Sequence, residues 1–144
     1  MGGQVAGVAH GGIGQISLGV RDVDRAVAFY RDVVGLQFLF RFPGMAFFDC
    51  GGVRLYLSQV QAEAPLSTSV LYYRVGDIQD AAAALGARGA RQLRVPEVAH
   101  RDDRHELWLA FFEDSEGNTF ALMAEVPRPA GEGGSGNDGA LPSR

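Results

Sequence analysis

Apolar residues recur at strand spacing, then at helix spacing, and the sequence runs through this change twice. The first run ends in Val20, and an aspartate two residues on, Asp22, stands where a helix needs an N-cap. Beyond it Val23, Ala26, Val27 and Tyr30 share one helical face, and Gly35 marks the stop. Fifty-five residues later Val75, Asp77, Ile78, Ala81 and Ala83 repeat Val20, Asp22, Val23, Ala26 and Ala28. The second helix predicts Ile78, Ala81, Ala82 and Leu85 on its inner face, with Gly86 or Gly89 closing it. After the first helix come QFLFRF and MAFFDCGGVRLYLS; after the second come ARQLRV and ELWLAFFEDSEGNTFALMAE. Each of these stretches closes as strand, glycine-containing turn (Gly51-Gly52, or Asp114 to Gly117) and strand.

The pattern therefore predicts an α+β fold of two tandem β-α-β-β-β modules, about 13–59 and 68–126, within a single domain spanning 13–126. A half-domain cannot cover its own sheet, so the two copies are expected to form one curved, mostly antiparallel eight-stranded sheet with a helix behind each half. Glycine crowds both ends. Six of the 20 glycines fall in residues 1–14 and five after Pro129, so residues 1–12 read as a flexible lead and 127–144 as a disordered tail.

Composition narrows the chemistry. The 144 residues are 47% hydrophobic with a formal net charge of −4, which argues against nucleic acid or an anionic membrane as partner. All 13 basic residues are arginine, so Schiff-base chemistry and P-loop phosphate binding both lack their lysine. The one cysteine, Cys50, rules out an internal disulfide and a thiolate metal cluster, and reads as a turn-flanking thiol. No apolar stretch approaches the roughly 20 residues of a membrane helix, and Ala6 stands where a myristoylation signal wants Ser or Thr, so a cytoplasmic protein is expected. The HGGIG lead precedes a strand instead of opening a helix, so it does not read as a dinucleotide loop.

VRDVDRAVAFYRDVVGL (Val20 to Leu36) and EDSEGNTFALMAE (Glu113 to Glu125) together resemble the vicinal oxygen chelate superfamily, which holds glyoxalases, epimerases, extradiol dioxygenases and bleomycin-binding proteins. That resemblance implies a metal held by one residue from the first and one from the last strand of each module. In this sequence the four positions read Gln15, Tyr56, Val70 and Ala121. Isopropyl and methyl groups bind no metal, and a divalent ion generally wants about three protein ligands. No metal or other cofactor is therefore expected. Members of the superfamily also usually dimerise, and a homodimer is expected here.

Strand alternation places Gln15, Ser17 and Gly19, then Arg54, Tyr56 and Ser58, then Val70, Tyr72 and Arg74, and finally Thr119, Ala121 and Met123 in the cleft. Trp108, Phe40 and Phe42 are placed beside them. Gln15, Ser17, Tyr56, Ser58, Tyr72, Arg74 and Trp108 form the expected ligand-binding set, with Arg74 available to a carboxylate or phosphate. The reading favoured is a protein that binds a small aromatic or anionic molecule without the family's metal. One alternative is a metal-dependent lyase, isomerase or dioxygenase with an atypical ligand set, in which Gln15 cooperates with His100, His105 or Glu106 from the RDDR link between strands six and seven. The other is metal-free acid–base catalysis by Tyr56, Tyr72, Glu106 or His105. His10 reads as solvated, and the RDDR segment as a polar surface loop.

Overall fold

The strands ending at Val20 and Arg74 each run on into an aspartate whose side chain caps the helix that follows. In the computed structural model, which describes residues 11–129, Asp22 Oδ1 accepts from the Arg25 amide at 3.1 Å and Asp77 Oδ1 from the Asp80 amide at 3.0 Å. The chain divides into two compact units between Pro65 and Leu66. The eight strands of the described residues fall into two four-stranded mixed sheets, one in each unit. The β-α-β-β-β order read from the sequence holds in both. Expectations for His10, for most of the glycine-rich lead and for residues 130–144 lie outside the described residues.

Unit 1 comprises β1 (Gln15–Val20), α1 (Val23–Ala28), a π-helical continuation over Phe29–Val34, β2 (Gln37–Phe42), β3 (Met45–Cys50) and β4 (Val53–Gln59). The strand order is β1-β4-β3-β2, with β1 parallel to β4 and the other pairs antiparallel. The π turn is visible in its bonding, since the Gly35 amide donates to the Tyr30 carbonyl at 3.0 Å, five residues back. β3 and β4 are joined by two residues, Gly51 and Gly52, both at positive φ (61° and 95°). That geometry matches the right-handed twist of the flanking strands and is cheap only for glycine. The core gathers Leu18, Val20, Val23, Ala26, Val27, Tyr30, Phe48, Leu55 and Leu57 between the helix and one sheet face.

Unit 2 comprises β5 (Leu71–Arg74), α2 (Ile78–Ala87), β6 (Arg91–Arg101), β7 (His105–Glu113) and β8 (Thr119–Pro127), ordered β5-β8-β7-β6. Gly86 lies inside α2, and Gly89 follows its end. Ile78, Ala82 and Leu85 of α2 are buried with Phe112, Phe120 and Leu122 of the sheet. The turn between β7 and β8 is built by Asp114. Its Oδ1 accepts from the amides of Glu116 and Asn118, each at 2.8 Å, and its Oδ2 from the Asn118 side-chain amide at 3.2 Å. Gly117 in this turn has φ 96°, and a Cβ there would come within 3.2 Å of Leu66 Cδ1.

Two boundaries differ from the sequence reading. β6 runs eleven residues, through Pro96, because it is an edge strand whose proline owes no amide to a neighbour; three register shifts absorb the irregularity. RDDR is consequently no long loop. Arg101 ends β6, and only residues 102–104 connect it to β7, tightened by Asp102 Oδ1 accepting from the amides of Arg104 (2.8 Å) and His105 (2.7 Å). At the C-terminal boundary, β8 continues to Pro127 and Arg128 is tied to that turn through its amide (to Arg104 O) and its Nη1 (to Asp102 O), each at 2.7 Å. Regular structure thus passes the expected limit at 126. No helix among the described residues is long and apolar enough to cross a membrane.

Candidate functional site

In each unit the helix covers one sheet face and leaves the other to whatever the sequence places there. On unit 1 the uncovered face carries Gln15, Ser17 and Gly19 from β1, paired with Arg54, Tyr56 and Ser58 from β4. Gln15, Ser17, Tyr56 and Ser58 are thus brought onto one surface. Met45, Phe47 and Asp49 of β3 continue it, opposite Ser58, Tyr56 and Arg54.

β2 then contributes through an irregularity. A register shift between Phe38 and Phe40 breaks the alternation. Phe38 packs edge-on against buried Phe48 (5.6 Å between centroids), while Phe40 pairs with Phe47 on the other face. The result is an aromatic surface across three strands. Phe47 stacks on Tyr56 at 4.8 Å and 7°, Phe40 lies 4.8 Å from Phe47, and Phe42 lies 5.7 Å from Phe40. Phe40 and Phe42 remain 40% and 54% exposed. Phe47, the hub, was missed by sequence reasoning, although its alternation with Met45 and Asp49 marks it.

One end of this face is closed by Val60, whose Cγ1 would lie 3.2 Å from a Cβ on Gly19. Arg21 holds the segment beyond, donating through Nη1 to the carbonyls of Gln61 (3.3 Å) and Ala62. Cys50, partly buried at the end of β3, has its thiol pushed up by that burial and by the Asp49 charge, so it stays protonated at neutral pH and is a weak nucleophile.

On unit 2 the corresponding face carries Tyr72 and Arg74 of β5, Ala121 and Met123 of β8, and Leu109 and Phe111 of β7. Tyr72 meets Phe111 edge-to-face at 6.0 Å. Ala121 is the register partner of both rings and is fully buried. The Arg94 guanidinium sits 5.8 Å from the Phe111 centroid and pairs with Glu97 at 3.6 Å.

Trp108 does not join them. It shares the parity of Ala110 and Phe112 and pairs with Ala124, so it lies on the helix-covered face, the reverse of the placement expected from the sequence. Its Nε1 donates to Glu106 Oε1 at 3.0 Å. That bond, with the Arg101 guanidinium at 2.9 Å, holds the Glu106 carboxyl below the usual carboxylate range, leaving no poised proton near neutrality.

His105 and Glu106 are consecutive on β7 and therefore project to opposite faces, so the expected pooling of their donors fails on strand geometry. His105 lies six residues, roughly 20 Å of strand, from Phe111. His100 is on β6, paired with Leu107. Tyr56 belongs to the other unit, and within unit 2 the candidates Glu106 and His105 share no common face.

The donor set implied for a metal does not fit one. Val70 precedes β5 and offers only hydrocarbon, and the Ala121 methyl is enclosed between two rings. Among the described residues no group of three or more His, Cys, Asp or Glu side chains stands together as a metal site.

A family model described as the Glyoxalase/Bleomycin resistance protein/Dioxygenase superfamily matches residues 12–122. A glyoxylase-like domain-containing protein from Didymella fabae is 33% identical over 129 residues, covering 80% of this chain and 94% of that protein. Among solved structures, a glyoxalase/bleomycin resistance protein/dioxygenase from Nocardioides gives a TM-score of 0.65 at 22% identity, covering 88% of this chain and 91% of its own. Lactoylglutathione lyase from Agrobacterium tumefaciens gives 0.62 at 20% identity, covering 81% and 96%. At such identities the structural likeness speaks to fold alone.

Proposed function

The chain belongs to the glyoxalase/bleomycin resistance protein/dioxygenase superfamily, and on that footing we propose that it binds a flat aromatic small molecule without a metal, on the uncovered face of unit 1. The observation that carries this reading is the stacked Phe47–Tyr56 pair extended by half-exposed Phe40 and Phe42. A planar ligand laid on this surface removes apolar area from water at about 25 cal/mol per Å² and gains about 0.5–1.5 kcal/mol per ring contact beyond that. Gln15, Ser17 and Ser58, on the same face, supply hydrogen bonds that fix orientation. The hydrocarbon at Val70 and Ala121 supports the metal-free part of the proposal.

The test is a thermal-shift panel of planar aromatics in the presence of a chelator. A ligand at 100 times its dissociation constant adds about 2.7 kcal/mol of stability. Tyr56→Ala is expected to weaken a hit about tenfold, the equivalent of one stacking contact at about 1.4 kcal/mol. A panel without hits, or a hit abolished by the chelator and restored by zinc or nickel, refutes the reading.

The proposal includes a cytoplasmic homodimer. β2 leaves one edge without a strand partner in its own sheet and exposes Leu39 there, a backbone edge that a second copy is suited to pair with. Light scattering at micromolar concentration is expected to return twice the 15.4 kDa chain mass; a monomer mass contradicts the pairing.

A further inference from the structure

We propose that the uncovered face of unit 2 recognises an aromatic carboxylate, with the Arg74 guanidinium as the anion's partner and the Tyr72–Phe111 pair as the ring's. This inference stands on its own observations and does not depend on what unit 1 binds.

Ion pairing among the described residues leaves the side chains of Arg54, Arg74 and Arg104 over, and of these only Arg74 stands beside the Tyr72–Phe111 pair on the uncovered face of unit 2. Arg31 pairs with Asp32, Arg41 with Asp24, Arg91 with Glu113, Arg94 with Glu97 and Arg101 with Glu106. Arg74 is exposed, and among the described residues it has no carboxylate within ion-pair distance and no hydrogen-bonded carbonyl. The acids sharing its face are Glu97, already held by Arg94, Glu113, held by Arg91, and exposed Glu125, one side-chain row beyond Met123 along β8. Arg74 is not bonded to Glu125. Its planar fork is thus available to a carboxylate in bidentate fashion, a geometry an ammonium group does not offer.

What surrounds the guanidinium defines the rest of the ligand. Tyr72 precedes Arg74 by two residues on the same strand, so the two side chains rise side by side about 6.7 Å apart. Tyr72 is 40% exposed, and its edge-to-face contact with Phe111 presents rings over the enclosed Ala121. The Arg94 guanidinium, itself paired with Glu97, lies over the Phe111 ring and helps hold it in place. An aliphatic acid leaves the rings unused, and a neutral aromatic leaves Arg74 unused. A fused bicyclic acid spans both.

The probe is 2-naphthoate, titrated by calorimetry into the full chain, with 2-naphthamide and acetate as comparators. Arg74→Gln is expected to weaken 2-naphthoate at least about tenfold, the loss typical of a charge-assisted contact, with Arg74→Lys between the two. The amide is expected to bind the unaltered protein as weakly as the acid binds Arg74→Gln, and acetate weaker still. Because Arg74 is exposed and its side chain is bonded to nothing among the described residues, the variant should melt at the same temperature as the parent, which separates a lost contact from lost folding. The proposal is overturned if 2-naphthoate fails to bind up to about 10 mM, beyond the weak end of specific affinity. It is equally overturned if Arg74→Gln binds the acid as the parent does, or if Tyr56→Ala abolishes binding while Arg74→Gln does not, which assigns the probe to unit 1.

Discussion

Replacing Phe112 with alanine is expected to lower the unfolding free energy by about 3–5 kcal/mol, the range for emptying a buried aromatic site. Phe112 is 0% exposed and stacks on Phe120 at 5.6 Å and 18°, on the face where Ile78, Ala82 and Leu85 of α2 are buried. The cavity would open between helix and sheet, where neither partner can collapse far without breaking ladder bonds. Its neighbour Phe111 is chemically identical and one residue away, yet faces outward toward Tyr72. Phe111→Ala should cost less than half as much. Urea unfolding of both variants, with the slope m compared to the parent, checks the pair. Equal losses from the two substitutions would mean that β7 does not alternate as described.

The second large effect is expected at Asp114, where alanine should cost about 2–4 kcal/mol. Asp114 is buried and its carboxylate gathers three donors: the amides of Glu116 and Asn118 and the Asn118 side chain. Alanine leaves those buried donors without their acceptor, and each orphaned group carries its own desolvation penalty. Asp114→Asn keeps an oxygen in place for the amides but presents an NH₂ to the donor from Asn118, so a loss of about half that size is expected. The same urea experiment reads both. An alanine variant within about 0.5 kcal/mol of the parent, the scatter of neutral surface changes, would show that the turn holds without this carboxylate.

Much of the architecture is legible in the sequence because several local signals agree. Asp22 and Asp77 sit one residue ahead of helical periodicity, and Gly51-Gly52 separates two strands by the two residues that a tight hairpin wants. Where one strand face is polar, alternation alone is enough. QISLGV and VRLYLSQ place Gln15, Ser17, Tyr56 and Ser58 together.

The misplaced residues share a physical cause. LWLAFF is apolar on both faces, so it carries no alternating signal, and Trp108 is assigned only by counting back from a neighbour of known direction. The bulge at Phe38 to Phe40 is an inserted residue with no composition of its own, and it decides which phenylalanines reach the aromatic surface. At RDDR, the closing of a three-residue connection by Asp102 depends on a side chain folding back on its own backbone, which charge patterning does not reveal. The separation of His105 from Glu106 follows once both are known to lie within a strand.

The π-helical stretch after α1 has an effect on who touches the sheet. In a tighter coil, successive side chains diverge by about 100°, and one of two adjacent rings would swing toward water. The looser winding over Phe29–Val34 narrows that divergence, and Phe29 and Tyr30 both end up buried, edge to face at 5.4 Å, with Tyr30 reaching Phe48 beneath. One surplus residue in the spiral thus lets a short helix press two large neighbours inward, giving the smaller of the two units an anchor that an equally short regular coil would lack.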